Sequence, residues 1–321
     1  MSELTRSNVN AKPAVVAANK RFKPVSYFKR TWSFHLLLLP ALIVVIIYQY
    51  IPMLGVVIAF KEYKPWLGIM NSEWVGLDHF KYLFTYPDSV QVIINTIIIS
   101  SLKISTNIGI PFIFALLLNE VRKTYFKRAV QTFVYLPHFL SWVILGGILI
   151  DVLSVKSGIV NHVVQLLGFQ PIFFLGDGDW FRVTVIVSDV WKDFGFAAIV
   201  YLAALSGINP ALYEAAEVDG ANRWEQTIHI TVPSVLPIVA VVTTLALGKI
   251  LDGGFDQIFN LYNPLVYNKG DIIDTFVYRV GLVGGQFSFA SAVGLFKSLI
   301  GFILVVISYR LAYKYANYRI F

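Results

Sequence analysis

Apolar residues fall into six long runs separated by short polar stretches, at roughly 36–60, 90–119, 129–153, 183–205, 232–251 and 289–313. About 20 apolar residues make a helix long enough to cross the hydrocarbon of a bilayer, where a helix satisfies every backbone N–H and C=O internally. The pattern predicts an all-α polytopic bundle of about six spans. A cytoplasmic segment over 1–33 precedes a membrane domain over 34–313, and a tail over 314–321 follows. The third and fourth runs carry more polar side chains than the others, and the chain shows no internal repeat.

Composition strengthens this picture. Of 321 residues, 57% are hydrophobic and 14% charged, whereas a soluble domain carries about 25% charge. A single water-soluble core cannot hide that much apolar surface. The net charge of +7 would suit nucleic acid, but its distribution points to a membrane. With the N-terminus inside, 15 Lys and Arg lie in 1–33, 120–128, 206–231 and 310–321, against 7 in 61–89, 154–182 and 252–288. By the positive-inside rule both termini and the 206–231 loop are cytoplasmic, and no nucleic-acid partner is expected. Aromatic residues mark the span ends: Trp32 and Phe34, then Phe60, Tyr63 and Trp66, and finally Tyr309, Tyr313 and Tyr315. Residues 1–33 are polar and basic, and the first apolar run is far longer than the core of a signal peptide, so it is expected to remain as an anchor. The chain has no cysteine, which excludes disulfides and thiolate chemistry.

The most informative cytoplasmic stretch is 206–237, SGINPALYEAAEVDGANRWEQTIHITVPSVLP. Asn209-Pro210 is a helix start, and Asp219-Gly220 makes a turn. Asn222 with Glu225 three residues on opens a second helix leading to the next span. Small side chains at Ala215 and Ala216 let the first helix settle into a groove of a partner, with the Glu214 and Glu217 carboxylates at its edge. On these features alone, a solvated connector is an equal alternative.

Glu214-Ala215-Ala216, then Asp219-Gly220-Ala221, then Ile230 and Pro233 resemble the EAA loop of ABC importer permeases, with Val232 where that pattern usually has Leu. The resemblance extends to Tyr50-Ile51-Pro52-Met53, Ile58 to Lys61, Trp74-Val75-Gly76, Phe80 to Phe84, Ser188 to Lys192, Gly253 to Tyr262 and the tail from Tyr313. There the chain is similar to the polysaccharide and complex-oligosaccharide branch of maltose-type permeases in bacterial plasma membranes. The resemblance implies a heterodimer with a second permease, two ATPase subunits and an extracytoplasmic solute-binding protein. It also implies that Glu214, Ala215, Ala216, Asp219, Gly220 and Ala221 couple to the ATPase. The chain has no G-x-x-x-x-G-K-[ST] run, so ATP and its magnesium would be bound by the partner; the chain itself is not expected to be an enzyme.

Ionisable side chains inside spans are costly and therefore functional candidates. Lys103 lies midway along the second run, flanked by Asn95, Asn107 and a break at Gly109-Ile110-Pro111. On the fourth, Asp189, Lys192 and Asp193 are spaced to share a face. They read equally as a packing ion pair, a substrate contact, or the relay of an ion-coupled secondary transporter. Trp191 could stack on a sugar ring, and Asp252-Gly253-Gly254-Phe255-Asp256-Gln257 interleaves polar and aromatic groups at a backbone break or a plain turn. The resemblance places sugar in a cavity between two permeases, so the substrate candidates are Trp191, Asp193, Phe255, Asp256 and Gln257. His35, His79, His138, His162 and His229 lack metal spacing and read as structural.

Overall fold

The computed structural model describes residues 24–316, with side chains over 31–310. The ends of the predicted N-terminal segment and tail, and the side chains of Tyr313 and Tyr315, lie outside the described residues. The chain divides into two compact units, residues 1–55 and 56–321.

The first unit is a helix from Pro24 to Val45 that runs on through a π turn, Ile46–Tyr50, to Met53. The helix thus begins within the segment expected to precede the membrane. Most of its exposed side chains are apolar, Phe34, Leu37 and Leu42 among them, as suits a lipid-facing span. The π turn lies just before Pro52, and another, Thr227–Thr231, lies just before Pro233. A proline ring collides with the carbonyl four residues back, and widening the helix there relieves the collision.

The second unit holds the remaining helices. Three helices, Ser89–Asn119, Arg223–Leu247 and Phe287–Arg310, are long and apolar enough to cross a membrane, as is Thr31–Phe60. Two bent pairs, Thr124–Phe139 with Trp142–Val152 and Gly178–Ser206 with Pro210–Val218, pass the same test of length and apolarity together, which brings the total to six when each pair is counted as one. The six apolar runs thus all become helical, and what differs is continuity. The third span bends by 101°, because Pro137 ends its first half in a tight turn and Ser141 caps a new helix by accepting from the Ile144 N–H. The expected break at Gly109-Ile110-Pro111 does not form; Pro111 is buried inside a continuous 31-residue helix. One lost hydrogen bond does not end a helix that tight neighbours hold on several sides.

The second and fourth spans form the central pair and run parallel. Arg182 donates to Asn95 near their starts, and Lys103 meets Asp189 midway. Ala115, Ala198, Tyr201, Leu205 and Val235 join them to the fifth span near their ends. A second core of Ile99, Phe181, Val185, Ile258 and Ile272 closes their first halves. The fourth span also lies close on the third, since a Cβ at Gly195 would stand 2.5 Å from the Val134 carbonyl oxygen. Small residues permit that approach between membrane helices.

Candidate functional site

Two features stand at different levels of the bundle. The first is the surface turn after the fourth span. The Asn209 side chain accepts from the Ala211 N–H at 3.1 Å, and Pro210 takes the first helical position. The helix bends 66° away from the span and ends at Val218. Gly220 has φ +82°. Its N–H bonds the Glu217 carbonyl and the Ala221 N–H reaches back to Ala216, which closes the helix end. Asn222 and Glu225 then form a reciprocal capping box, with bonds of 2.7 and 3.0 Å. This is the helix-turn-helix that the sequence predicts.

The turn is held internally and to the bundle. The Tyr213 hydroxyl bonds that of Thr231 at 2.9 Å, and Arg223 pairs with Glu120 at the end of the second span at 2.9 Å. Glu214, Ala215, Asp219 and Gly220 are exposed, while Ala216 and Ala221 are half-buried. Val218 is 88% and Trp224 71% exposed, so the surface offered beside Glu214 is partly apolar. Removing the Tyr213 hydroxyl with phenylalanine should cost about 1 kcal/mol locally. Hydrogen exchange of the 210–231 amides should then quicken, with the remaining helices unchanged.

The second feature is an open groove of about 440 Å³ midway along the second and fourth spans, lined by Lys103, Asn107, Asp189, Asp193, Lys249 and Asp252, among others. The Lys103 ammonium bonds Asp189 at 3.1 Å, the Gly253 carbonyl at 3.0 Å and the Gln257 amide oxygen. The Asn107 amide donates to the other Asp189 oxygen at 2.7 Å. Gln257 also donates to the Val185 carbonyl and to Ser188. Lys192 donates to the His138 carbonyl at 2.7 Å, and His138 Nδ1 to Asp193 at 2.8 Å. The His138 ring stacks on Phe196 at 4.0 Å.

These contacts re-sort the charged residues of the fourth span. Asp189 takes its partner from the second span, not from Lys192, because Lys103 stands opposite it in the parallel pair. Lys192 turns to the loop carrying His138 and approaches Asp193 at 3.8 Å. Among the five substrate candidates, Asp193 lines the groove. Gln257 is 1% exposed and its amide is engaged on both sides, so it supports Lys103 from beneath. Phe255 stacks on Phe259 and nears Tyr278. Asp256 is exposed, and Trp191 is 47% exposed away from the groove-lining set. Gly253 and Gly254 do mark a backbone break, since the fifth span's helix ends at Leu247, Gly254 has φ +86° and a new helix starts at Phe255. Lys249 was not singled out from the sequence. A lysine inside the 232–251 apolar run was the signal that could have found it. Among the described residues no three His, Asp or Glu side chains gather as metal ligands.

A polytopic helical bundle with a polar groove at mid-depth and a protruding surface helix is the architecture of a transport permease. Residues 107–317 match the model for the binding-protein-dependent transport system inner membrane component, and the chain belongs to that family of ABC importer permeases. It is 42% identical to the polygalacturonan/rhamnogalacturonan transport system permease protein YteP of Bacillus subtilis, over 89% of each chain. Its fold is similar to a chain of a bacterial ABC transporter involved in the import of the acidic polysaccharide alginate, with TM-score 0.85 and 39% identity, covering 92% of this chain and 99% of that one. A second structure, of a bacterial alginate ABC transporter in complex with an alginate pentasaccharide-bound periplasmic protein, matches with TM-score 0.83 and 39% identity, covering 90% and 96%.

Proposed function

We propose that this chain is one of two different permease subunits of an ATP-driven importer and lines half of the path for an oligosaccharide or polysaccharide fragment. The 210–218 helix docks into an ATPase subunit, two copies of which bind ATP and magnesium. An extracytoplasmic solute-binding protein delivers the sugar. Both termini lie in the cytoplasm, on the side of the docking helix.

The observation that carries this reading is the docking helix itself. Here Glu214 and Ala215 are presented outward beside exposed Val218, on a turn fixed by caps at both ends. Closure of the ATPase dimer would move this turn as a rigid piece and bias the bundle between two states. A proton- or sodium-coupled carrier would need a relay free to change protonation. Asp189 is instead ion-paired with Lys103 and accepts a hydrogen bond from Asn107, which disfavours that alternative.

Glu214→Ala tests the docking. The variant should reach the membrane in normal amount yet recover at most about a tenth of the ATPase, as expected when a charge-assisted contact is lost from an interface. Sugar uptake should fall in parallel. Normal ATPase recovery together with normal uptake would contradict the reading.

A further inference from the structure

The groove holds one lysine whose charge the fold does not use. Residues 248–251 form a turn after Leu247, with the Lys249 N–H bonded to the Ala246 carbonyl at 2.9 Å. Its side chain is exposed and lines the same groove as Lys103. Lys103 is committed to Asp189. Among the described residues Lys249 has no carboxylate within ion-pair distance and donates no side-chain hydrogen bond, while Asp193 is taken by His138 and Lys192. The other charge left open is Asp252, whose N–H bonds the Lys249 carbonyl at 2.8 Å and whose carboxylate accepts from the Gly254 N–H at 3.3 Å. One turn thus places an ammonium and a carboxylate, not paired with each other, on the wall of the groove.

We propose that Lys249 and Asp252 together read a uronic-acid ring, the ammonium taking the ring's carboxylate and Asp252 accepting from its hydroxyls. This rests on the importer reading above and narrows its cargo to acidic oligosaccharides. An ammonium at membrane depth is expensive unless something pairs with it. A neutral sugar would serve Asp252 through its hydroxyls but leave Lys249 unmatched. A uronate satisfies both, since its carboxylate and ring hydroxyls lie on one small, rigid frame.

The test compares a galacturonate tetramer with its carboxyl-reduced, neutral counterpart. Binding of each is measured directly on the purified permease–ATPase complex, so that the solute-binding protein does not filter the probes. The wild-type complex should prefer the uronate by about tenfold, the size of one charge-assisted contact. Lys249→Met should abolish that preference and Lys249→Arg should keep it. Asp252→Asn should weaken both probes alike. Equal binding of the two probes by the wild type, binding of neither, or an intact preference in Lys249→Met would overturn the proposal. Uptake by the full transporter with its binding protein is scored separately. Failure to import any oligosaccharide would overturn the importer reading, whereas import with an unchanged Lys249→Met preference overturns the assignment of Lys249 alone.

Discussion

Lys103→Met should destabilise the solubilised protein by about 3–5 kcal/mol, the cost of stripping one partner from a buried ion pair. The side chains of Lys103 and Asp189 are 9% and 15% exposed, so water cannot replace the ammonium cheaply. Methionine fills nearly the same volume, which removes cavity formation as the cause. The loss reaches further than Asp189. The Gly253 carbonyl and the Gln257 amide oxygen also lose their donor, and the backbone break would keep only the bonds of Gln257 to Val185 and Ser188 on the fourth span. Adding Asp189→Asn to Lys103→Met should recover more than half of the stability, since it removes the orphaned charge and keeps an acceptor for Asn107. Thermal unfolding in detergent measures both. A single variant as stable as the wild type would show that the pair does not hold the bundle.

Gly220→Val should cut coupled uptake by about tenfold or more while leaving the membrane helices intact. At φ +82° a residue with a Cβ costs about 1–2 kcal/mol, and a β-branched one more. No atom lies within 4 Å of the position a Cβ would take, so the penalty is the backbone's alone and not a clash. By the usual conversion of about 1.4 kcal/mol per factor of ten, the closed turn would be depleted by about tenfold or more. A graded series follows, with Asn the mildest because it visits the left-handed region, Ala intermediate and Val the most severe. ATP-driven uptake at matched protein abundance reads the series. Equal uptake by the Asn and Val variants would mean that the turn's shape is not what the ATPase engages.

The helical bundle was legible in the sequence because spans are set by the lengths of apolar runs, and each of the six runs became helical. The surface turn was legible for a similar reason. Asn209-Pro210, Asp219-Gly220 and the Asn222/Glu225 pair act on neighbours in the chain, and the caps formed as their spacing requires. The groove was legible only in part. That Lys103 and Asp189 had to face protein followed from cost, but their pairing depends on two helices lying parallel in register, which no local pattern encodes. The same limit misplaced Lys192, whose partner His138 sits 54 residues away on the far side of a bend. Gln257 illustrates the general difficulty. A polar side chain beside two glycines suits a binding site or a structural tie equally, and only the neighbours supplied by other helices separate the two.

Lys103 joins the backbone break at Gly253 and the start of the helix after it to the second and fourth spans. The far ends of those same two helices bear Glu120, clasped by Arg223, and the exit into residues 210–218. The groove wall and the surface turn are thus fastened to the same pair of parallel helices, one midway along it and the other at its end. On the reading proposed above, a displacement of the 210–218 helix would reach Lys249 and Asp252 through that pair of helices, and the bend after Ser206 and the break at Gly253-Gly254 are the two places where the movement would be absorbed.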